Sequence, residues 1–330
     1  MKNLFDYLGK SWLIFGPKEI KAGGGERQIS IELLSDFDKL VWDERLPFYS
    51  FKRFFVPEAE GLFKYRNEKL LDEPAQSDKI AFFGMNVLDL RSTLLYDQVF
   101  REDVCYQQRR SNFLVIGHNI MPNLGPAVKP QVFDENMLEH LSFDIFFLAL
   151  KNSIGREGAR DYAVFAGSPK GQKVLDNFGY KDYIKVEFKG LVKEGLIIER
   201  MQMLKDKLEN HHSPKIWEEL GKRCIECGKC TIACPTCFCF RIDDEPALKE
   251  GEGERERCWD SCYYQEFSEV SGGHKFLDNT AGRIHFWYFH KFARIPKEYN
   301  MLGCVGCRRC AAVCPVGIDI KEVLRNIEQS

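Results

Sequence analysis

The sequence predicts an α+β chain in two parts, a mixed α/β domain over 1–200 and a mainly helical, cysteine-rich domain over 201–330. Three observations carry this. Up to about residue 190, short apolar runs alternate with helical patterns; residues 192–222 are charged with apolar positions at helical spacing; and twelve of the thirteen cysteines follow residue 220.

In chain order, the apolar runs Trp12–Phe15, Lys79–Phe83, Phe113–Gly117, Phe143–Leu148 and Tyr162–Ala166 read as strands. Leu88–Phe100 and Ser168–Phe178 read as helices, the second opened by Ser168-Pro169, a favourable cap and first-turn pair. Leu196, Ile197, Met201, Leu204, Leu208, Trp217 and Leu220 suit helices broken near His211–Pro214, where the two domains join. The segment 241–300 begins acidic and ends aromatic, and reads as an insertion between two cysteine runs. An amphipathic helix, Ile320–Ile327, closes the chain.

Forty-seven basic against forty-nine acidic residues give no general attraction to nucleic acid or anionic lipid. The longest apolar run, around Phe143–Leu150, is far short of the roughly 20 residues of a membrane span. The N-terminus lacks the pattern of a secretory signal, so a cytoplasmic protein is expected. In a large chain of that kind, crowded cysteines point to metal rather than to disulfides.

The two runs are Cys224-Ile-Glu-Cys227-Gly-Lys-Cys230-Thr-Ile-Ala-Cys234-Pro235 and Cys304-Val-Gly-Cys307-Arg-Arg-Cys310-Ala-Ala-Val-Cys314-Pro315. Both match C-x2-C-x2-C-x3-C-P, the spacing that holds a 4Fe-4S cube. Three thiolates at intervals of three wrap a loop around one cube, and the fourth cysteine is expected to begin a helix and serve the other cube. That pairs Cys224, Cys227 and Cys230 with Cys314, and Cys304, Cys307 and Cys310 with Cys234, clamping together segments 70 positions apart. The domain over 201–330 is then ferredoxin-like, with two 4Fe-4S clusters. Structural zinc would rather show two separated C-x2-C knuckles. A cube with four thiolates is anionic, so Lys222, Arg223, Lys229, Arg308 and Arg309 beside the loops are expected to raise its potential or form a docking face.

Cys237, Cys239, Cys258 and Cys262 match no cluster by spacing and read as buried structural thiols, with a third site as the alternative; Cys105 reads as inert. Ala22–Gly25 lacks the phosphate-loop spacing and reads as a surface turn. Phe286–Phe289 reads as packing around the clusters, and His274, His285 and His290 as structural histidines.

The run Cys234-Pro-Thr-Cys-Phe-Cys239, then Cys258-Trp-Asp-Ser-Cys262, Gly272-Gly-His274 and Cys304-Val-Gly-Cys307 resemble the iron–sulfur beta subunit of cytosolic NiFe sulfhydrogenases and the related A subunit of anaerobic sulfite reductase. Phe83-Gly84 with Asp89, Arg109-Arg110, Phe143-Asp144 and Gly167-Ser-Pro-Lys-Gly171 extend the likeness to the N-terminal domain. The resemblance implies an electron-transfer subunit, binding no flavin or nicotinamide itself, between a flavin-containing NAD(P)H-type reductase subunit and a catalytic redox subunit. A NiFe hydrogenase is the preferred setting, a sulfite reductase the alternative. It also implies that an additional N-terminal cluster of some family members is missing here, since its first position corresponds to Leu88 and no cysteine follows Gly117 in His-Asn-Ile-Met-Pro.

Overall fold

The computed structural model describes residues 1–21, 23, 25–67, 69–71, 78–122, 135–154, 160–190, 199–210 and 214–329. Leu196, Ile197, Ala22, Gly24 and the helix break at His211 lie outside the described residues. In chain order the larger strands are β1 (Leu13–Lys21), β2 (Arg27–Leu33), β3 (Ala59–Arg66), β4 (Lys69–Leu71), β5 (Ile80–Asn86), β6 (Phe113–His118), β7 (Ile145–Ile154), β8 (Arg160–Ala166), β9 (Ile184–Lys185), β10 (Phe240–Pro246) and β11 (Glu252–Trp259).

Two compact units form, one from Met1–Phe51, Gln76–Gly125 and Pro130–Leu191, the other from Lys52–Ala75, Pro126–Lys129 and Val192–Ser330. The first holds a seven-stranded sheet in the order β2-β1-β5-β6-β7-β8-β9. Its centre is parallel from β1 through β5 and β6 to β7. Every residue of β5 and β6 is buried, as expected of parallel strands covered on both faces, which is why both read as unbroken apolar runs.

The helix Pro169–Phe178 starts as its sequence says. Ser168 caps it, accepting from Gly171 N at 3.0 Å, and Gly179 ends it in the left-handed region at φ 85°. Asp144 ties this helix to the sheet, accepting from Val115 N at 2.7 Å and from Ser168 Oγ at 2.5 Å. Gly171 lies so close beneath that a Cβ there would meet Asp144 O at 1.9 Å. Arg110 is taken up by Asp97 Oδ1 at 3.1 Å and Ser142 Oγ at 2.9 Å. The Asp144, Gly171 and Arg110 positions of the N-terminal motifs thus hold strand ends and helices in register.

The second unit has an antiparallel sheet, β10-β11-β3-β4, beside a helical core. Relative to a boundary at residue 200, Lys52–Ala75 sits with the later residues because β3 pairs with β11. The α+β class holds, with this sheet added to the expected helices. The sequence reading left 241–300 without strands because β10 and β11 are charged and largely half-exposed or exposed. Cross-strand ion pairs replace apolar alternation there, as in Asp244–Arg255 at 2.6 Å and Glu60–Arg257 at 2.5 Å.

The helices Glu199–Glu209, Pro214–Arg223, Thr280–Phe289 and Ile320–Gln329 enclose the core. Leu204, Leu208, Trp217, Leu220, Ile284, Trp287, Tyr288 and Leu324 are buried in it, each such side chain contributing about 1.5–3 kcal/mol on removal from water. Ile320, Val323, Leu324 and Ile327 are the buried stripe of the last helix. Cys224, Cys230, Cys239, Cys304 and Cys310 pack against the same core.

Candidate functional site

Each cysteine run folds into the same turn. Cys224 closes the helix Pro214–Arg223, its N–H reaching Leu220 O at 2.9 Å. The chain then reverses through left-handed conformations at Glu226 (φ 57°) and Gly228 (φ 67°), and eighty residues later through Gly306 (φ 76°) and Arg308 (φ 57°). In both loops the N–H two residues on turns back to the first sulfur, Glu226 N to Cys224 Sγ and Gly306 N to Cys304 Sγ, each at 3.4 Å. Gly228 and Arg308 cap the short helices Lys229–Ile232 and Arg309–Ala312. These helices carry the third cysteines, Cys230 and Cys310, and end before Cys234 and Cys314. The expectation that the fourth cysteine begins a helix is corrected here: the positive-φ cap starts the helix early, and the fourth cysteine enters a turn at its proline, with Cys237 N on Cys234 O and Gly317 N on Cys314 O.

Glu226 fixes the first loop. Its carboxylate accepts from Thr280, from Arg283 and from Gln265 Nε2 at 3.1 Å. Burial pushes the Glu226 carboxyl up, but these hydrogen bonds outweigh it and hold the group below its ordinary value. In the second loop Arg308 pairs with Asp319, and in the first Arg223 donates to Val316 O at 3.2 Å. Lys222 and Lys229 are exposed.

The structure brings Cys224, Cys227, Cys230 and Cys314 to the wall of one cavity, to which Cys310 of the second run also contributes, and which is otherwise lined mainly by apolar groups such as Ile225, Ile284, Tyr288 and Ile318. Trp287 also lines it, and its buried indole N–H has no hydrogen-bond partner among the described residues. Cys234 lies close enough to Cys304 and Cys310 to raise the cost of ionising both, and does the same to Cys230 of its own run. Burial above all, with neighbouring sulfurs adding to it, pushes the Cys230 and Cys304 thiols up to about 12. Such sulfurs carry charge at neutral pH only when bound to a cation, so loading the site with iron must release protons. Among the described residues no three His, Cys, Asp or Glu side chains converge on a point where one ion could sit. A single tetrahedral zinc needs donors about 2.3 Å from one centre, whereas a cube offers each thiolate its own iron. Four thiols per set, N–H groups turned to sulfur and an apolar cavity suit cubes.

Two buried lysines escaped the sequence reading. Lys291, 2% exposed, lies in the π-helical turn His290–Arg294. Its Nζ donates to Cys234 Sγ at 3.3 Å, Thr236 Oγ1 at 3.1 Å and Gly303 O at 2.9 Å, bridging the end of one run to the start of the other. Lys52 is also buried, with Nζ 3.4 Å from Thr231 O and 4.0 Å from the Trp259 ring centre. Nothing marks either residue in the sequence except that Lys291 lies within an otherwise aromatic stretch.

The remaining cysteines divide. Cys237 lies beside the Cys234 sulfur and Cys262 beside the Cys239 sulfur, and in each pair the proximity holds the second-named thiol below its ordinary value. Cys258 sits apart on β11, beside Asp243 and Glu256. Cys105 lies on the helix Val104–Ser111 of the first unit. None of the three histidines is placed among the cysteines: His285 Nε2 is 3.2 Å from Leu208 O, His290 is half-buried against Phe286, and His274 packs on Phe276.

Residues 223–318 match the model of a 4Fe-4S dicluster domain. Over 319 residues, 90% of this chain and 88% of the relative, the chain is 28% identical to Sulfhydrogenase 2 subunit beta of Pyrococcus furiosus. No solved structure matches it. The likeness to sulfhydrogenase iron–sulfur beta subunits read from the motifs therefore runs through nearly the whole chain, and its cysteine-rich region is a domain for two 4Fe-4S clusters.

Proposed function

We propose that this chain, a relative of the sulfhydrogenase beta subunit with a dicluster domain, relays single electrons between a flavin-containing, NAD(P)H-linked subunit and a catalytic subunit, in a cytoplasmic NiFe hydrogenase complex. When bound, a 4Fe-4S cube exchanges one electron at a time. The observation that supports the reading is that the two runs meet: Cys314 and Cys310 share a cavity wall with Cys224, Cys227 and Cys230, and Cys234 lies close to Cys304 and Cys310; we assign Cys314 to the first three cysteines and Cys234 to Cys304, Cys307 and Cys310. These are the two proposed ligand sets.

The polypeptide supplies distance, exclusion of water and charge. Trp287, Tyr288 and Ile284 shield the first set, while Lys291 holds Cys234 to the second. Among the described residues no helix is long and apolar enough to cross a membrane.

The test is purification under strict anaerobiosis, with subunit identification and metal analysis. The expected result is about eight irons per chain and co-purification with a flavoprotein and a NiFe large subunit. A sirohaem subunit in place of the latter would move the chain to a sulfite reductase. Stoichiometric zinc, or reduction of a physiological substrate by the chain alone, would refute the relay.

A further inference from the structure

The two proposed ligand sets are alike in backbone but not in charge. Cys234 and Cys314 occupy equivalent positions, eighty residues apart, after equivalent short helices. Cys314 Sγ accepts from one backbone group, Ile318 N at 3.3 Å. Cys234 Sγ instead lies 3.3 Å from a buried ammonium, Lys291 Nζ, and 3.1 Å from Thr236 Oγ1. The cavity shared by Cys314 has Lys229 as its one lysine or arginine, and that side chain belongs to an exposed residue. Burial decides the difference: an exposed charge is screened by water, whereas one that is 2% exposed is not.

Reduction adds one negative charge to a cube that is already anionic. A fixed cation hydrogen-bonded to a ligand sulfur stabilises the reduced form more than the oxidised one, raising the potential. The three hydrogen bonds of Lys291 go to a sulfur, a hydroxyl and a carbonyl. Around it lie the sulfurs of Cys234, Cys237 and Cys304 and, near enough to interact, the buried ammonium of Lys52.

We infer that Lys291 holds the two clusters at unequal reduction potentials, so that the one ligated through Cys234 is the preferred resting place of an electron and the one ligated through Cys314 the poorer holder. This rests on the interleaved ligand sets proposed above. It assigns the relay an internal direction: an electron arriving at the Cys314 side runs downhill to the Cys234 side.

The experiment uses the full chain with both clusters in place and a redox titration followed by electron paramagnetic resonance. Cys234→Ser and Cys304→Ser identify the signal of one cluster, Cys224→Ser and Cys314→Ser that of the other. Lys291→Gln keeps a polar donor and removes the charge. It is expected to lower the reduced-to-oxidised ratio of the Cys234 cluster at fixed potential by about tenfold or more, a midpoint fall of about 59 mV for one electron, and to leave the other signal in place. Lys291→Arg is expected to restore the parent value, which a purely space-filling role would not do. Should Lys291→Gln fail to retain about eight irons, Lys52→Gln carries the same expectation, since Lys52 is buried beside the same group of sulfurs. If Lys291→Gln moves both midpoints equally, or neither, the inference is overturned while the relay stands. If Cys234→Ser marks the same signal as Cys224→Ser, the ligand sets are wrong and the inference falls with them.

Discussion

Removing the charge of Glu226 tests how the first cluster loop is held. Glu226 sits between Cys224 and Cys227 in a left-handed conformation (φ 57°), and its side chain anchors that turn to the helix Thr280–Phe289. The Arg283 side chain it neutralises is 3% exposed, and its own is 18% exposed. Glu226→Gln leaves a guanidinium buried without a counter-charge, a change that costs about 3–5 kcal/mol when the partner is fully enclosed. Arg283 keeps Leu277 O at 2.7 Å, and Glu226 is partly solvated, which sets the expectation at the lower end. About 3 kcal/mol corresponds to roughly a hundredfold. Iron–sulfur proteins do not unfold in one reversible step, so the quantity to measure is the rate at which visible absorbance bleaches in denaturant under anaerobic conditions. That rate should rise on the order of a hundredfold in Glu226→Gln. The double variant Glu226→Gln/Arg283→Met, in which neither charge remains, should lie within about fivefold of the parent. A single variant already within that margin would refute the claim that the pair organises the loop.

The same pair predicts a pH dependence: because Glu226 is held below its ordinary value, its contribution is complete above about pH 4.3 and is lost as the pH falls through the folded-state value, so the bleaching rates of parent and Glu226→Gln should converge in acid. Gly228→Ala meets a φ of 67° and the Tyr264 ring at 2.7 Å from the added Cβ; since Arg308 adopts φ 57° at the equivalent place, most of the cost is the ring, and Tyr264→Ala should restore iron retention to Gly228→Ala. Gly171→Ala must push the helix Pro169–Phe178 off Asp144 O, 1.9 Å from the new Cβ, and should lower the apparent melting midpoint followed by circular dichroism while leaving iron content unchanged.

Much of this arrangement was legible in residue order because it rests on local chemistry. The apolar runs Lys79–Phe83 and Phe113–Gly117 became the buried centre of the sheet, Ser168-Pro169 opened its helix, and the cysteine spacing located both loops. What stayed hidden depends on partners remote in sequence. Lys52 looks like an ordinary surface lysine until residue 231 is brought beside it, and Lys291 until residues 234 and 303 are. β10 and β11 look like a solvated charged stretch because their alternation is one of ion pairs rather than of apolar side chains. The misplaced helix start has the same origin in the second run, where nothing in Cys-Arg-Arg-Cys announces that Arg308 takes φ 57°, while in the first the signal was there in Gly228.

The pairing of β3 with β11 has a consequence for synthesis. The ribosome delivers Ala59–Arg66 some 186 residues before Glu252, the first residue of its neighbour, emerges. At about 5–20 residues per second, that strand waits on the order of 10–40 s with its edge open. Glu60, Lys64 and Arg66 then serve the nascent chain as guards against wrong partners, before they become ion-pair partners of Arg257, Glu254 and Glu252.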